Sequence, residues 1–428
     1  MNKRIVKYSV GDAQSFKLKL IEYTKQLQCF CFLDNNSTKS ENDFDYLLAY
    51  NPYYEFIGLE QPFFELKNFI DKSQDWSFGF LTYDLKNDTE ALFSNNFDLH
   101  NFPKIHFFNP EIIVQVKGQD VRFLYSLNYK ENYGKSLFNS IQSIKIKKAF
   151  SKEVYLESRV SKKDYIKHIN SIKAHLKKGD IYEMNYCQEF FSQNFSSDIF
   201  MLFASLNRTS QAPFSAFYRI NDNFCLCASP ERYLSKKGKK VFSQPIKGTI
   251  KRSSDQFVDM ENKIKLVNSD KDFSENIMIV DLVRNDLSRF AKKGTVCVDE
   301  LMGVYSYKDV HHLVSTISCE INDEIHIVDA LKSTFPMGSM TGAPKIKAME
   351  IIEKYEATKR GLYSGSIGYI NPNGDFDFNV VIRSILYNKK SQYLSFMVGG
   401  AITIDSDPEL EYEECLAKAQ SIFKVLGQ

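Results

Sequence analysis

The last quarter of the chain carries three strand-length runs with no helix-length stretch between them: "SGSIGYI" (364–370), "DFNVVIRSILY" (377–387) and "YLSFMVGGAITI" (393–404). Parallel neighbours need a crossover of a dozen or more residues, usually a helix, and the gaps here are too short. These runs therefore predict antiparallel strands. Similar runs fill the first third ("FCFLD", "YYEFIGLE", "WSFGFLTYDL", "EIIVQVKGQDVRFLYSL"), interleaved with amphipathic stretches such as 60–71. The expected class is α+β, mixed α and β, rather than a βαβ alternation.

Helices are marked by their caps. Ser161 with Asp164 three positions on is an N-cap signature, and Gly179 stops the pattern it opens. A second helix is expected over about 274–290, "SENIMIVDLVRNDLSRF". "PMGSMTGAPKIKAMEIIEKYE" reads as a glycine-rich loop running into a helix with Pro344 near its first turn. A last helix, "DPELEYEECLAKAQSIFKVL", closes the chain. The polar, basic segment 140–162 is expected to cross the surface, and "SKKGKK" to turn at Gly238.

Across 428 residues the net charge is +2, which gives no reason to expect nucleic acid as a partner. No apolar run approaches the ~20 residues of a membrane span, and the start has no apolar signal core. None of the eight cysteines forms a CxxC pair. A cytoplasmic protein with reduced thiols and no membrane is expected. GxGxxG, Walker, HExxH and GxSxG patterns are absent, which removes the common nucleotide, zinc and serine-hydrolase readings.

Several polar residues sit where either structure or chemistry accounts for them. Glu275 and Glu414 stand near the starts of apolar helices, and Glu411 shares a face with Glu414. Acids suit a helix N-terminus. A carboxylate pair from two helices also suits Mg2+, completed by waters and an anionic substrate. "GSMTGAPK" with Lys345 is either a tight loop or an anion-binding helix start. Arg383, among alternating apolar neighbours, calls for a carboxylate, whether structural or bound. Of His311 and His312 only one can face a pocket, and neither has metal spacing. Glu231 in "CLCASPERYL" is a local ion-pair partner or a general acid. In "FSQPIKGTIKR" (242–252), read as a tight turn, Lys247 is either solvated or placed for chemistry. Together they describe a pocket for a small polyanion held through a metal.

"SPER", "PIKGT", "ENIMIVDLVRNDL", "VHHLVSTI", "GSMTGAPK", "RGLYSGSIGY", "VVIRSI" and "GGAITIDSDPELEYEECLAKA" occur in this order. In them the chain resembles the chorismate-utilising enzymes: anthranilate synthase component I, aminodeoxychorismate synthase component I and the isochorismate and salicylate synthases. The resemblance is strong over 161–428 and weaker through "WSFGFLTYDLKN". It implies two stacked antiparallel-rich sheets flanked by helices, the anthranilate synthase component I-like fold. An N-terminal region, 1–150, and a chorismate-binding catalytic region, 151–428, would be intertwined in one body. It also implies Mg2+ held by Glu275 and Glu414 with Glu411 close by. Gly248, Thr249, Tyr363, Arg383, Gly399, Gly400 and Ala401 would contact the substrate, Glu231 would be the general acid, and His312 the family histidine.

Lys247 separates the branches. Anthranilate and salicylate synthases typically carry alanine there ("PIAGT"), and aminodeoxychorismate synthases carry lysine. In the latter branch the lysine is proposed to attack C2 of chorismate as the 4-hydroxyl leaves, and ammonia then displaces it at C4. The implied function is that of an aminodeoxychorismate synthase component I, a transferase serving 4-aminobenzoate and folate synthesis. The rivals are anthranilate synthase component I and a non-catalytic subunit that binds chorismate or a glutaminase. A nucleophilic lysine must be neutral, so its pKa is expected to fall below the free value of ~10.4. Glu183 stands where isochorismate-forming members carry lysine and aminating members usually glutamine, which argues against isochorismate synthesis. "FLDNN" and "APFSAFY" replace the tryptophan-feedback signatures, so that control is not expected. The chain ends at Gln428 with no glutaminase domain, so ammonia is expected from a separate glutaminase subunit or from solution.

Overall fold

The strand Ile105–Lys117 organises the molecule. One edge pairs with Tyr46–Ile57; the other is shared, Ser77–Leu81 lying against its first residues and Asp120–Ser126 against its last. The hydrogen-bonded network therefore branches there into two arms. The first arm continues from Tyr46–Ile57 through Cys29–Asp34, Phe214–Ile220, Asn223–Ser229, Ser384–Asn388 and Tyr393–Ile402 to Glu183–Ser192. The second runs from Ser77–Leu81 through Ser366–Ile370, Phe376–Asn379, Arg232–Lys237 and Lys240–Gln244 to Val310–Glu320. Ile246–Lys251 and Cys297–Ser306 flank that last strand. All these pairings are antiparallel, which the short connections require only of the hairpins, such as Phe214–Ile220 with Asn223–Ser229 and Ser384–Asn388 with Tyr393–Ile402. The computed structural model describes residues 3–36, 43–146 and 153–428.

The two arms face each other across one apolar layer. Cys31, Ala49, Tyr218 and Cys225 enter it from the first arm, and Phe78, Leu234, Ile367 and Phe378 from the second. The outer face of the first arm is covered by helices Ala13–Tyr23, Lys162–Lys178, Ile199–Ser210 and Pro408–Val425, through residues such as Leu20, Ile172, Phe203 and Ile422. Each fully buried side chain of this size stabilises the fold by about 1.5–3 kcal/mol. The strands of the first third pair directly with strands beyond residue 200, so the sheets do not divide near residue 150.

Local signals hold where they are strongest. Ser161 Oγ accepts from the Asp164 N–H, and Gly179 ends that helix at φ 78°. Three expectations shift. The second long helix is Asp270–Ser288, capped by Ser269, and so starts four residues earlier than expected. "PIKGT" is mostly strand, not a turn, because Val310–Glu320 supplies it with a hydrogen-bonding partner. The run 377–387 is broken: Phe376–Asn379 pairs in the second arm and Ser384–Asn388 in the first, with Arg383 at φ 52° between them. Of the polar segment 140–162, residues 147–152 lie outside the described residues. Among the described residues no helix is long and apolar enough to cross a membrane.

Candidate active site

Lys247 lies on Ile246–Lys251, where Gly248 (φ 83°) shifts the register against Val310–Glu320. Glycine adopts this bulge without a Cβ penalty. It also admits the Asp270–Ser288 helix, because a Cβ at Gly248 would come within 3.2 Å of Asp272. Asn276 of that helix donates to the Lys247 carbonyl at 3.1 Å. The Lys247 ammonium is buried, donates to Glu183 Oε1 at 2.6 Å and lies 4.0 Å from Glu275 Oε2. Burial alone would lower its pKa. The Glu183, Glu275 and Glu231 carboxylates outweigh burial and hold it above the usual lysine value. The expectation of a depressed lysine is thus corrected for this state: three acids win over desolvation.

Glu275 and Glu414 both lie in the second turns of their helices, beyond the reach of the helix-start dipole; Glu411 is in the first turn. They converge on one ammonium. Lys271 Nζ is 3.2 Å from Glu411 Oε1, 3.5 Å from Glu414 Oε2 and 3.9 Å from Glu275 Oε1. Lys418 pairs with Glu414 Oε1 at 2.7 Å and donates to the Gly399 carbonyl. A Cβ on Gly400 would stand 3.3 Å from Glu411 Oε2, so that glycine keeps the space before the carboxylates open. Lysine 418 holds the Glu414 carboxyl down at about 2, whereas burial pushes Glu275 up. Glu275 Oε1 is buried with no hydrogen-bond partner. A lysine ammonium among three carboxylates, one with an orphaned oxygen, is an all-oxygen setting that fits Mg2+. Among the described residues their ligand atoms do not all lie within 4.8 Å of one another.

Glu231 is buried, and burial pushes its carboxyl up to about 7, against a hydrogen bond from Ser339 and the charge of Lys247. It therefore holds a proton near neutral pH, as a general acid must. An acid whose folded pKa is raised binds more protons folded than unfolded between about 4.3 and 7. Stability is then lost as pH rises through that window, by an amount on the order of 3 kcal/mol. Glu231→Gln should remove that loss, giving a higher melting temperature than the parent at pH 8 and little difference at pH 4, read by thermal denaturation at both pH values.

Arg383 occupies the crossing between the arms in a left-handed conformation that non-glycine residues adopt rarely and at a cost. Its guanidinium has no hydrogen-bond or ion-pair partner among the described residues. Burial lowers its pKa, and Tyr363 and Glu414 oppose that. His312 accepts from or donates to Thr249 Oγ1 through Nδ1 at 2.8 Å. Burial and the Arg383 charge push His312 down to about 3, so the imidazole is neutral. His311 points elsewhere, bonding Asp259 and Ser306. Tyr363 is buried with its hydroxyl 3.6 Å from Cys187 Sγ, and Ala401 is buried on the strand with Gly399 and Gly400.

Lys345 is the exception. It is buried against Asp286 Oδ2 at 2.6 Å and Thr334 O at 3.3 Å. Asp286 lies eleven residues beyond Glu275, about 16 Å along the helix, so Lys345 stands apart from the carboxylates and the expected substrate contact is corrected. From the glycine-rich loop it is Ser339, bonded to Glu231, that reaches the site. Lys345→Met should cost about 3–5 kcal/mol by leaving Asp286 buried and unpaired, measured by urea denaturation.

His312 and Arg383 line a cavity of about 830 Å3. A larger one, about 980 Å3, is lined by Arg232, Lys236 and Tyr369 and holds none of these residues. Its Arg232 and Lys236 are paired to Asp377 and Asp375, whereas Arg383 in the smaller cavity has no such partner among the described residues; Lys247, Glu231, Glu275 and Glu414 are not among the smaller cavity's lining residues. Sequence reasoning missed Lys271 and Lys418, although each stands four residues from a site glutamate on its own helix, the spacing of a helical ion pair.

Residues 31–424 match the family model described as chorismate binding enzyme. The aminodeoxychorismate synthase component 1 of Salmonella typhimurium is 41% identical over 270 residues, 63% of this chain and 59% of that protein. The chain thus spans about three-fifths of that relative's length. The anthranilate synthase component 1 of Acetivibrio thermocellus is 31% identical over 371 residues, 82% of this chain and 74% of that protein. The crystal structure of anthranilate synthase component I from Streptococcus pneumoniae superposes with a TM-score of 0.79 at 26% identity, covering 90% of this chain and 93% of that one. With the family model matched over nearly the whole length and the same fold in a solved relative, the chain belongs to the chorismate-binding enzyme family.

Proposed function

We propose that the chain is the amination component of an aminodeoxychorismate synthase, converting chorismate and ammonia to 4-amino-4-deoxychorismate in the cytoplasm. The observation that carries this reading is the buried Lys247, hydrogen-bonded to Glu183 and bounded by Glu275 and Glu231. The branch that makes anthranilate typically has alanine there, which offers no nucleophile. The relatives named aminodeoxychorismate synthase component 1 support the same reading. Free thiols at all eight cysteines suit a reducing compartment.

In this reading Arg383, without an ion-pair partner among the described residues, takes a substrate carboxylate, and neutral His312, held by Thr249, lines the pocket beside it. Glu275 and Glu414, with Glu411 close by, would hold Mg2+, which would neutralise the ring carboxylate facing them. Lys247 must shed a proton before it attacks, and Glu183 Oε1 at 2.6 Å is the base within reach. Its nitrogen then bonds to C2, the C1–C2 double bond moves to C1–C6 and the C5–C6 double bond to C4–C5, and the 4-hydroxyl leaves as water with the proton of Glu231. Ammonia adds at C4 and the lysine departs from C2 with its electron pair, regenerating the amine. The ammonia donor is proposed to be a separate glutaminase subunit.

Chromatographic identification of the product from chorismate, Mg2+ and ammonium tests this. 4-Amino-4-deoxychorismate is expected; fluorescent anthranilate with pyruvate, or no turnover, would overturn it. Glutamine should serve only after a cognate glutaminase is added, and turnover of glutamine by the chain alone would contradict the proposed division of labour.

A further inference from the structure

We propose that Cys29, Glu55 and His106 form a binding site for a divalent transition-metal ion, Zn2+ by preference, separate from the Glu275–Glu411–Glu414 cluster. The three residues come from adjacent strands of the first arm, Cys29–Asp34, Tyr46–Ile57 and Ile105–Lys117, close to where the sheet branches. Their ligand atoms all lie within 4.8 Å of one another, the one such group of three among the described residues. The donor set is one sulfur, one imidazole nitrogen and one carboxylate oxygen. That mixture selects a borderline ion such as Zn2+ and not Mg2+, which takes oxygens.

The surroundings are those of a metal ligand set. His106 Nε2 is 2.8 Å from Glu55 Oε1, and its Nδ1 is 2.7 Å from the hydroxyl of buried Tyr218. A partner on the second ring nitrogen fixes the imidazole, as outer-shell groups do for metal-bound histidines. The Cys29 sulfur has no hydrogen-bond partner among the described residues. Arg219 stands near it, its guanidinium engaged by Leu27 O, Asn221 O and Gln28 Oε1; burial and the Glu55 charge push the thiol up, and the Arg219 charge offsets only part of that. Tetrahedral Zn2+ spaces N and O ligands by about 3.3 Å. Glu55, 44% exposed, has the freedom to open its present 2.8 Å contact by that margin and leaves a fourth position towards solvent.

Protons balance simply. Without metal, burial and the Glu55 charge keep the Cys29 thiol protonated, and His106 Nε2–H donates to the Glu55 carboxylate. On binding, Cys29 releases its proton to solvent, and the imidazole proton moves from Nε2 to Nδ1, where the Tyr218 oxygen accepts it. One proton is released per ion.

The test is a Co2+ titration of the full chain after treatment with a chelator and dialysis. A near-ultraviolet thiolate-to-Co2+ charge-transfer band should appear at one equivalent, with release of one proton, and Zn2+ should bleach it. Carboxylate-bound Co2+ at Glu275 and Glu414 has no sulfur and gives no such band. Cys297→Ser, which removes the exposed thiol, should keep the band, and Cys29→Ser should lose it. Glu55→Gln, at an exposed position that does not threaten folding, should weaken Co2+ binding by about 10–100-fold or more. Zn2+ should raise the thermal midpoint of the parent and not of Cys29→Ser. The absence of a band, its survival in Cys29→Ser, its loss in Cys297→Ser, or unchanged affinity in Glu55→Gln would each overturn the site and leave an ordinary His–Glu hydrogen bond.

Discussion

Lys247→Ala is expected to abolish 4-amino-4-deoxychorismate formation, lowering kcat by about three orders of magnitude or more while changing substrate affinity little. The split follows from the geometry. In the proposed reading Arg383, Thr249 and a Mg2+ held by the carboxylates on two helices remain, and they, not the lysine, would recognise the substrate's charges. Removing Lys247 also relieves Glu183 of its partner 2.6 Å away, so some loss of stability is expected, and a melting curve separates that from the loss of rate. Lys247→Arg should not rescue, because a guanidinium stays protonated and cannot attack. Mass spectrometry of the parent under turnover should find a chorismate-derived adduct on the peptide carrying Lys247. Near-normal kcat in Lys247→Ala would remove the nucleophile from the mechanism and return the lysine to a structural role.

Chelation by EDTA should abolish turnover and added Mg2+ restore it, and Glu275→Gln or Glu414→Gln should each reduce kcat by about 10²–10³-fold. Carboxylates turned towards a dicarboxylate repel it at short range unless a cation intervenes. Stability should move the other way at Glu275. Burial raises its pKa and leaves one oxygen without a partner, so an amide removes a cost, and the melting temperature of Glu275→Gln at pH 8 should match or exceed the parent's. At Glu414, held near 2 by Lys418, the same change loses a favourable ion pair and should lower it slightly. Full activity in excess EDTA, with both variants active, would rule out the metal reading.

What the sequence determined by itself is local or combinatorial. Short gaps between apolar runs made the strands antiparallel, the caps at Ser161 and Gly179 set a helix, and the ordered motifs identified the family and the residues to watch. These are properties of neighbours along the chain, where sterics and hydrogen-bonding needs act over a few residues. Tertiary structure alone decided the rest. It broke the run 377–387 at Arg383, because each half pairs with a different arm of the sheet. It gave Lys345 to Asp286, a residue from a distant segment that no spacing rule links to it. It set Lys247 between Glu183, Glu275 and Glu231, which reverses the direction of its pKa from that expected for a buried amine. Charge and burial at a site are sums over side chains brought together from every part of the chain, and such sums exist only once the two arms have closed on each other.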